Sequence, residues 1–325
     1  MWESFPPLPL GGIKTVPLAS RPSKVGAEQV GRPHAPGRSF REFLRSLPDI
    51  LAAGSFRDGS FREAVGAVAG AAREGKVVAL GMGGHPVKVG LSPILIDLMK
   101  RGVIRALAMN GSGIVHDFEM AFAGRTSEDV DASIDAGEFG MAEETGRILN
   151  EAIAEGARAG LGIGEAVGQR IVQDGLPHAE LSLLAAGVRL GVPVTVHVAI
   201  GTDILHVHPQ ANGAAVGEAS FIDFRTFASV VSRLEGGVYI NLGSAVILPE
   251  VFLKALTLAR SQGHRVDRFV TVNMDFIQHY RPLNNVVRRP TQKAGRGIAL
   301  TGHHEILFPL FAAAVIEELG ETLNR

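Results

Sequence analysis

The chain contains no cysteine. That excludes a disulfide framework, a thiolate zinc site and a cysteine nucleophile, and leaves His, Asp or Glu as the only ligands for any metal. Lysine is scarce, 7 residues against 25 arginines; we read this as coding bias, and it leaves few candidates for a catalytic lysine. No charge of either sign dominates: 32 Lys+Arg against 33 Asp+Glu gives −1, with a pI near 6.8. This balance argues against a nucleic-acid surface spread over the whole protein, though not against a local basic patch. No apolar run approaches the ~18 residues of a membrane span; residues 306–316, ILFPLFAAAVI, are 11 long and contain Pro309. The opening MWESFPPLPL has Glu3 and paired prolines where a signal peptide needs basic residues followed by an apolar helix. The expectation is a cytoplasmic protein with no membrane and no nucleic-acid partner.

What is present points to a sizeable core. Apolar residues make up 46% and charged residues 20% of 325, which fits two domains or one large α/β domain with additions. Glycine is abundant at 40 residues, about 12% against an average near 7%, so many turns or close ligand approaches are expected. Residues 1–40 hold 7 of the 17 prolines and read as an extended arm. A first helix is expected over Ser39–Ala53, giving an arm-and-helix segment 1–59 and a body 60–325. Within the body, short apolar runs at Lys76–Gly81, Arg105–Met109, Val192–Ala199, Gly237–Asn241, Arg268–Asn273 and Gly297–Leu300 lack alternation, as strands buried on both faces do. Helical patterns lie between them: Leu91–Arg101 with Ser92 as N-cap, a long stretch from Thr126 towards Glu155, Gly164–Gln173, His178–Leu190, Asp223–Leu234, Pro249–Gln262 and Glu305–Leu319. The alternation predicts an α/β fold with one doubly wound, mostly parallel sheet of at least six strands.

Ligands of such sheets collect at the carboxyl ends of strands. Four loop sets qualify. Gly81–Gly90, GMGGHPVKVG, has adjacent glycines whose N–H groups can face phosphate, but matches neither GxGxxG nor the Walker pattern. Asn110–Glu119, NGSGIVHDFE, gives a small-residue turn followed by His116-Asp117, for one of which a capping or surface role is favoured over an acid/base pair. His197–Pro209 offers His197, Asp203, His206 and His208. A His-x-His pair on an extended segment suits a metal or a shared anion, but with no third ligand in view hydrogen-bonded loop histidines are the favoured reading and no metal is expected. Glu218 follows as a further polar candidate. The C-terminal set comprises Gly243-Ser244, Asn273-Met274-Asp275, Thr301–Glu305 (TGHHE), and Arg281, Arg288 and Arg289, which could clamp a phosphate or carboxylate but more often are solvated or pair with a neighbouring subunit.

In order and spacing, GMGGHPVKVGLSPILIDLM with MNGSGIVHDFE, VPVTVHVAIGTD, EGGVYINLGSAVILPE and HHEILFPLFAAAV resemble the deoxyhypusine synthase family, in particular its bacterial deoxyhypusine-synthase-like branch, from about Gly75 to the C-terminus. The resemblance implies a Rossmann-like NAD-binding domain, a transferase scaffold, and a homo-oligomer (dimer or tetramer) with sites between paired subunits. It implies NAD contacts at Gly83-Gly84-His85, Asn110-Gly111-Ser112-Gly113, Asp203, Gly243-Ser244 and Asn273-Met274. The departures are equally specific. The family's Trp-Gly-Lys motif is absent; the only Trp is Trp2, and the late lysines are Lys254 and Lys293. Its Lys-His-His is replaced by Ile247-Leu248-Pro249, and its acidic polyamine segment by the Arg-rich stretch 281–289. A site that loses acids and gains arginine should no longer prefer a polycation. The reading is an NAD-linked enzyme with a changed, anionic small-molecule substrate and His206, His208 and His304 as acid/base candidates. A genuine deoxyhypusine synthase using Lys293, and a non-catalytic nucleotide-binding assembly protein, are the alternatives.

Overall fold

The computed structural model describes Pro17, residues 36–46 and residues 61–320. The expected Pro-rich arm, and the second half of the expected first helix, lie outside the described residues; α1 is described over Phe40–Ser46.

Chain order from there is α2 (Phe61–Arg73), β1 (Val78–Met82), α3 (His85–Lys88), α4 (Ser92–Lys100), β2 (Ala106–Asn110), α5 (Gly111–Ala123), α6 (Val130–Ser133), α7 (Glu143–Arg158), α8 (Ile163–Gln173), α9 (Leu183–Leu190), β3 (Val194–His197), α10 (Gly213–Val231), β4 (Val238–Leu242), α11 (Ile247–Ser261), β5 (Val270–Asp275), α12 (Tyr280–Pro282), β6 (Arg296–Thr301) and α13 (His304–Leu319). All six strands pair in parallel, in the order β3-β2-β1-β4-β5-β6. This is a Rossmann-like, doubly wound α/β fold, with the direction of winding reversing between β1 and β4.

The two faces of the sheet are built differently. Val78, Leu80 and Met82 point into a large core that includes α2, α4, α5 and α13. On the opposite face Ala79, Ala106 and Ala108 are small, and there Tyr239, Phe227, Phe252 and Phe269 fill the space under α10 and α11. Tyr239 stacks on Phe252 with centroids 3.9 Å apart. A Cβ at Gly81 would collide with the Tyr239 hydroxyl, so the neighbouring strand must carry glycine at that point. The hydroxyl itself is buried without a hydrogen-bond partner. Tyr239→Phe should therefore hold or raise stability, by up to about 1 kcal/mol, because it removes an uncompensated polar group; a lowered denaturation midpoint would show that the hydroxyl has an energetic role.

Several helix boundaries differ from expectation. The stretch from Thr126 to Glu155 is broken: Ser127 has φ 71°, Gly137 and Gly140 are left-handed, and Asp129 caps only the one-turn α6. His178–Leu190 is interrupted at Ser182, whose Oγ caps α9. Ser92 is the first residue of α4 rather than its cap, and its hydroxyl is buried unpartnered. The α10 helix begins ten residues before the expected Asp223, at Gly213, with Asn212 accepting from Ala214 and Ala215 N–H.

Two buried aspartates join elements that the sequence separates widely. Asp117 of α5 accepts from Ser182 Oγ (2.6 Å), Leu183 N (2.7 Å) and Leu184 N (3.2 Å), closing the start of α9. Asp223 of α10 accepts from Val196 N at 2.8 Å and Gly164 N at 3.0 Å, so one carboxylate oxygen covers a free N–H of edge strand β3 and the first turn of α8.

Candidate functional site at the carboxyl edge

The turn after β1, Gly83-Gly84, meets the turn after β4 at the winding reversal. A Cβ on Gly83 would lie 2.8 Å from the Gly243 carbonyl oxygen, and Gly83 N–H donates to Leu242 O at 3.3 Å. Gly243 has φ 67°, and a Cβ there would press on the His304 ring, 2.6 Å from Cε1. On the other side, a Cβ on Gly84 would lie 2.6 Å from Ser112 Oγ and 2.9 Å from His116 Cδ2, and one on Gly111 would overlap the Asp203 carboxylate. Four separate βα connections and the start of α13 therefore touch through glycine backbones at one place.

His304 is 1% exposed, and both of its ring nitrogens lack a hydrogen-bond partner. Its Nε2 stands 3.6 Å from Asp275 Oδ1, and its ring lies 5.3 Å from that of His85 and 5.9 Å from Phe276. Burial holds this imidazole below its usual pKa against the opposing pull of Asp275 and a weak backbone contact with Met274 that falls short of a well-formed hydrogen bond. Asp203 is buried with Oδ2 unpartnered. Burial raises its carboxyl, partly offset by His206, Thr202 and backbone N–H groups including that of Ser112. Below the turns, Asn241 and Asn273 face each other across β4 and β5, Nδ2 to Oδ1 at 2.7 Å, and Asn241 Oδ1 has no partner.

The expected site residues divide into two groups. Gly83, Gly84, His85, Gly111, Ser112, Asp203, Gly243 and His304 meet at this edge. Asn110, Gly113, Ser244, Asn273 and Met274 lie beside them but carry the scaffold. Asn110 Oδ1 caps α5 by accepting from Gly113 N at 3.0 Å. Ser244 Oγ accepts from Leu248 N at 3.1 Å. Met274 is fully buried.

The expected extended His-x-His segment is a 3-10 turn over Ile204–Val207, so the two imidazoles do not share a face. His206 Nδ1 accepts from Gly201 N at 3.3 Å. His208 Nε2 donates to the Gly140 carbonyl at 2.8 Å, and its ring occupies the space that a side chain at Gly146 of α7 would need. His197 is buried edge-on to Phe227, and burial pushes its pKa down to about 3.

Arg281 and Arg289 are joined in one network: Arg281 pairs with Glu250 of α11 at 3.4 Å, Asn285 Nδ2 donates to the same Glu250 oxygen at 2.8 Å, and Asn285 Oδ1 accepts from Arg289 at 2.8 Å. The connection from β5 to β6 then descends from the carboxyl edge to the amino edge. Lys293 lies in the same descent and pairs with Asp267, which precedes β5, at 2.8 Å. It therefore stands at the amino edge, across the sheet from His304. Two surface cavities also lie elsewhere: one of about 500 Å³ among α1, α2 and α13, the other of about 460 Å³ beside β3, α8 and α10.

Sequence reasoning passed over Asn241 and Phe276, and placed Asp275 in a candidate loop without a role. The signal for Asn241 was its place in the apolar run VYINL at the register of Asn273.

No protein-family model matches the chain, and no curated protein matches it. Solved structures match in fold. A provisionally named LOR/SDH protein from Methanococcus maripaludis S2 aligns with TM-score 0.52 and 14% identity, over 80% of this chain and 69% of its own. AgrE, in a ternary complex with ornithine and NAD+, aligns with TM-score 0.51 and 15% identity over 81% of this chain; the alignment spans 33% of AgrE. A provisionally named deoxyhypusine synthase from Entamoeba histolytica aligns with TM-score 0.49 and 12% identity, over 87% of this chain and 95% of its own. At these identities the likeness is one of fold. Among the described residues no helix is long and apolar enough to cross a membrane, and no cluster of three metal-ligating side chains occurs.

Proposed function

We propose that the carboxyl edge of the sheet, where the turns after β1 and β4 meet, binds NAD, and that the chain is an NAD-linked enzyme of the deoxyhypusine-synthase-like branch with a changed, anionic small-molecule substrate. The observation that carries this reading is His304: a fully buried imidazole with two unpartnered nitrogens, seated against the β4 turn where the winding reverses. A buried polar group without a partner costs about 1–3 kcal/mol, and a ligand that parts the β4 turn from the ring would remove that cost. Asp203 Oδ2 and Asn241 Oδ1 are orphans of the same kind along the same edge. The residues suit a dinucleotide chemically: backbone N–H groups of turns at strand ends can face phosphate, and carboxylate and amide oxygens can accept from ribose hydroxyls.

When bound, NAD supplies a hydride acceptor. The chain's own contribution is to hold proton acceptors beside it. His304 is neutral and exchanges a proton at a ring nitrogen, and the Asp275 carboxylate 3.6 Å away stabilises the imidazolium once formed. The substrate's anionic character is supported by the absence of the acidic segment that the resembled family carries. Use of Lys293 as an imine-forming amine is disfavoured by its place at the amino edge and its pairing with Asp267.

Turnover is tested by screening small carboxylic acids and amino acids with NAD+ for absorbance at 340 nm. His304→Ala should lower the rate found by about 10²–10⁴-fold, and Lys293→Ala should leave it unchanged. A rate indifferent to His304, or spermidine-dependent label transfer that vanishes in Lys293→Ala, contradicts the proposal. The same reading includes a homo-oligomer. It is supported by large apolar side chains left exposed at this rim, Ile200, Val246, Ile277, Tyr280 and Ile306 among them. Equilibrium sedimentation should give a dimer or larger; a 34.3 kDa species alone at micromolar concentration refutes it.

A further inference from the structure

One turn of α5 carries His116, Asp117 and Glu119. Asp117 is taken up in capping α9. His116 and Glu119 are joined through Thr126: Thr126 Oγ1 is 2.5 Å from Glu119 Oε2 and 2.8 Å from His116 Nδ1. Thr145 Oγ1 donates to the other Glu119 oxygen at 3.2 Å. A threonine hydroxyl has one proton, and a carboxylate only accepts. Thr126 therefore donates to Glu119, and its lone pair must meet a proton on His116 Nδ1.

A neutral imidazole protonated at Nδ1 carries its lone pair at Nε2. The ring is kept neutral by burial first and by the positive charge of Lys88 on α3 second, which together push its pKa down to about 4. Its Cδ2, the atom bonded to Nε2, lies against Gly84, 2.9 Å from where a Cβ would stand; Ser112 Oγ is 2.6 Å from the same point. The charged and polar groups facing the ring are thus Lys88, Glu119, Thr126 and Ser112.

We infer that the Glu119–Thr126–His116 chain is a tautomer lock that keeps the lone pair on His116 Nε2, one bond from the ring carbon that lies against Gly84, and that this nitrogen accepts a hydrogen bond from a hydroxyl or amide N–H of the bound ligand. The ligand half of this inference rests on the nucleotide reading above; the lock does not. Glu119 and Thr126 are the positioning residues, and His116, distinct from His304, is a second acceptor at this edge.

The test is two-bond proton–nitrogen correlation on the full chain labelled in its histidine rings, with His116→Gln to assign the signal. At pH 7 the His116 Nε2 should resonate as an unprotonated ring nitrogen and Nδ1 as N–H. Thr126→Val should shift the ring towards the Nε2–H form. Added NAD+ should move the Nε2 signal of the wild type upfield, as accepting a hydrogen bond does. An Nε2–H ring in the wild type, or an unchanged pattern in Thr126→Val, overturns the lock. Movement of the His85 or His304 signals with NAD+ while His116 stays fixed overturns the acceptor role. If NAD+ moves no histidine, the nucleotide reading fails and the acceptor role falls with it, while the tautomer result still decides the lock.

Discussion

Asp223→Ala should cost about 3–5 kcal/mol, a large share of the ~5–15 kcal/mol that holds a domain together. The carboxylate oxygen that accepts from Val196 and Gly164 is at the junction of β3, α8 and α10. Its removal leaves two buried N–H donors on different elements, each costing about 1–3 kcal/mol, and a cavity beside them. Asp223→Asn is the informative partner, because an amide oxygen can accept the same two bonds. Burial pushes the Asp223 carboxyl up to about 7 and that of Asp117 up to about 6, above an unfolded value near 3.9. A raised folded pKa means that the fold favours the protonated acid. Its contribution is therefore full below about pH 4 and is lost as the pH rises through 7. The amide introduced by Asp223→Asn cannot ionise, so this variant should match the wild type or exceed it at pH 8 and show a flatter stability profile between pH 4 and 8. Urea denaturation across that range checks both variants. An Asp223→Ala midpoint equal to the wild type would remove the junction from the account.

Gly83→Val should weaken NAD+ binding by at least ~10–100-fold. A Cβ at this position meets the Gly243 carbonyl oxygen at 2.8 Å, a backbone atom with no rotamer to give. The turns after β1 and β4 must then separate, and they flank the proposed phosphate position. Forced backbone shifts of this kind cost about 1–3 kcal/mol, and each 1.4 kcal/mol is tenfold in affinity. Gly217→Ala is the control: its Cβ meets nothing within 4 Å, and binding should be unchanged. Isothermal titration of both variants decides the matter. Equal affinity in Gly83→Val would place the ligand elsewhere.

The strands were legible because a parallel sheet covered on both faces demands short apolar runs, and VALGM or ALAMN have no other plausible use. The start of α10 was missed because GAAVG contains two glycines and reads as loop; Asn212, a good N-cap, was the available signal. The caps supplied by Asp117 to α9 and by Asp223 to α8 had no local signal, since donor and acceptor are 59–67 positions apart. The glycine turns of the site were legible as turns at strand ends. Which arginines and lysines share an edge was not. Arg281 and Lys293 are 12 positions apart in one loop, yet the crossover carries one to each edge of the sheet. His206 and His208 are hydrogen-bonded loop histidines, the favoured reading of their spacing; what the sequence did not show is the 3-10 turn that takes the place of an extended segment.

If the reversal point between β1 and β4 holds a dinucleotide against His304, titration of the purified full chain with NAD+, followed by calorimetry and by the His304 ring nitrogens, should show saturable binding of one NAD+ per chain, with the His304 signals shifting as the site fills. Absence of heat and of any His304 shift at millimolar NAD+ would contradict this.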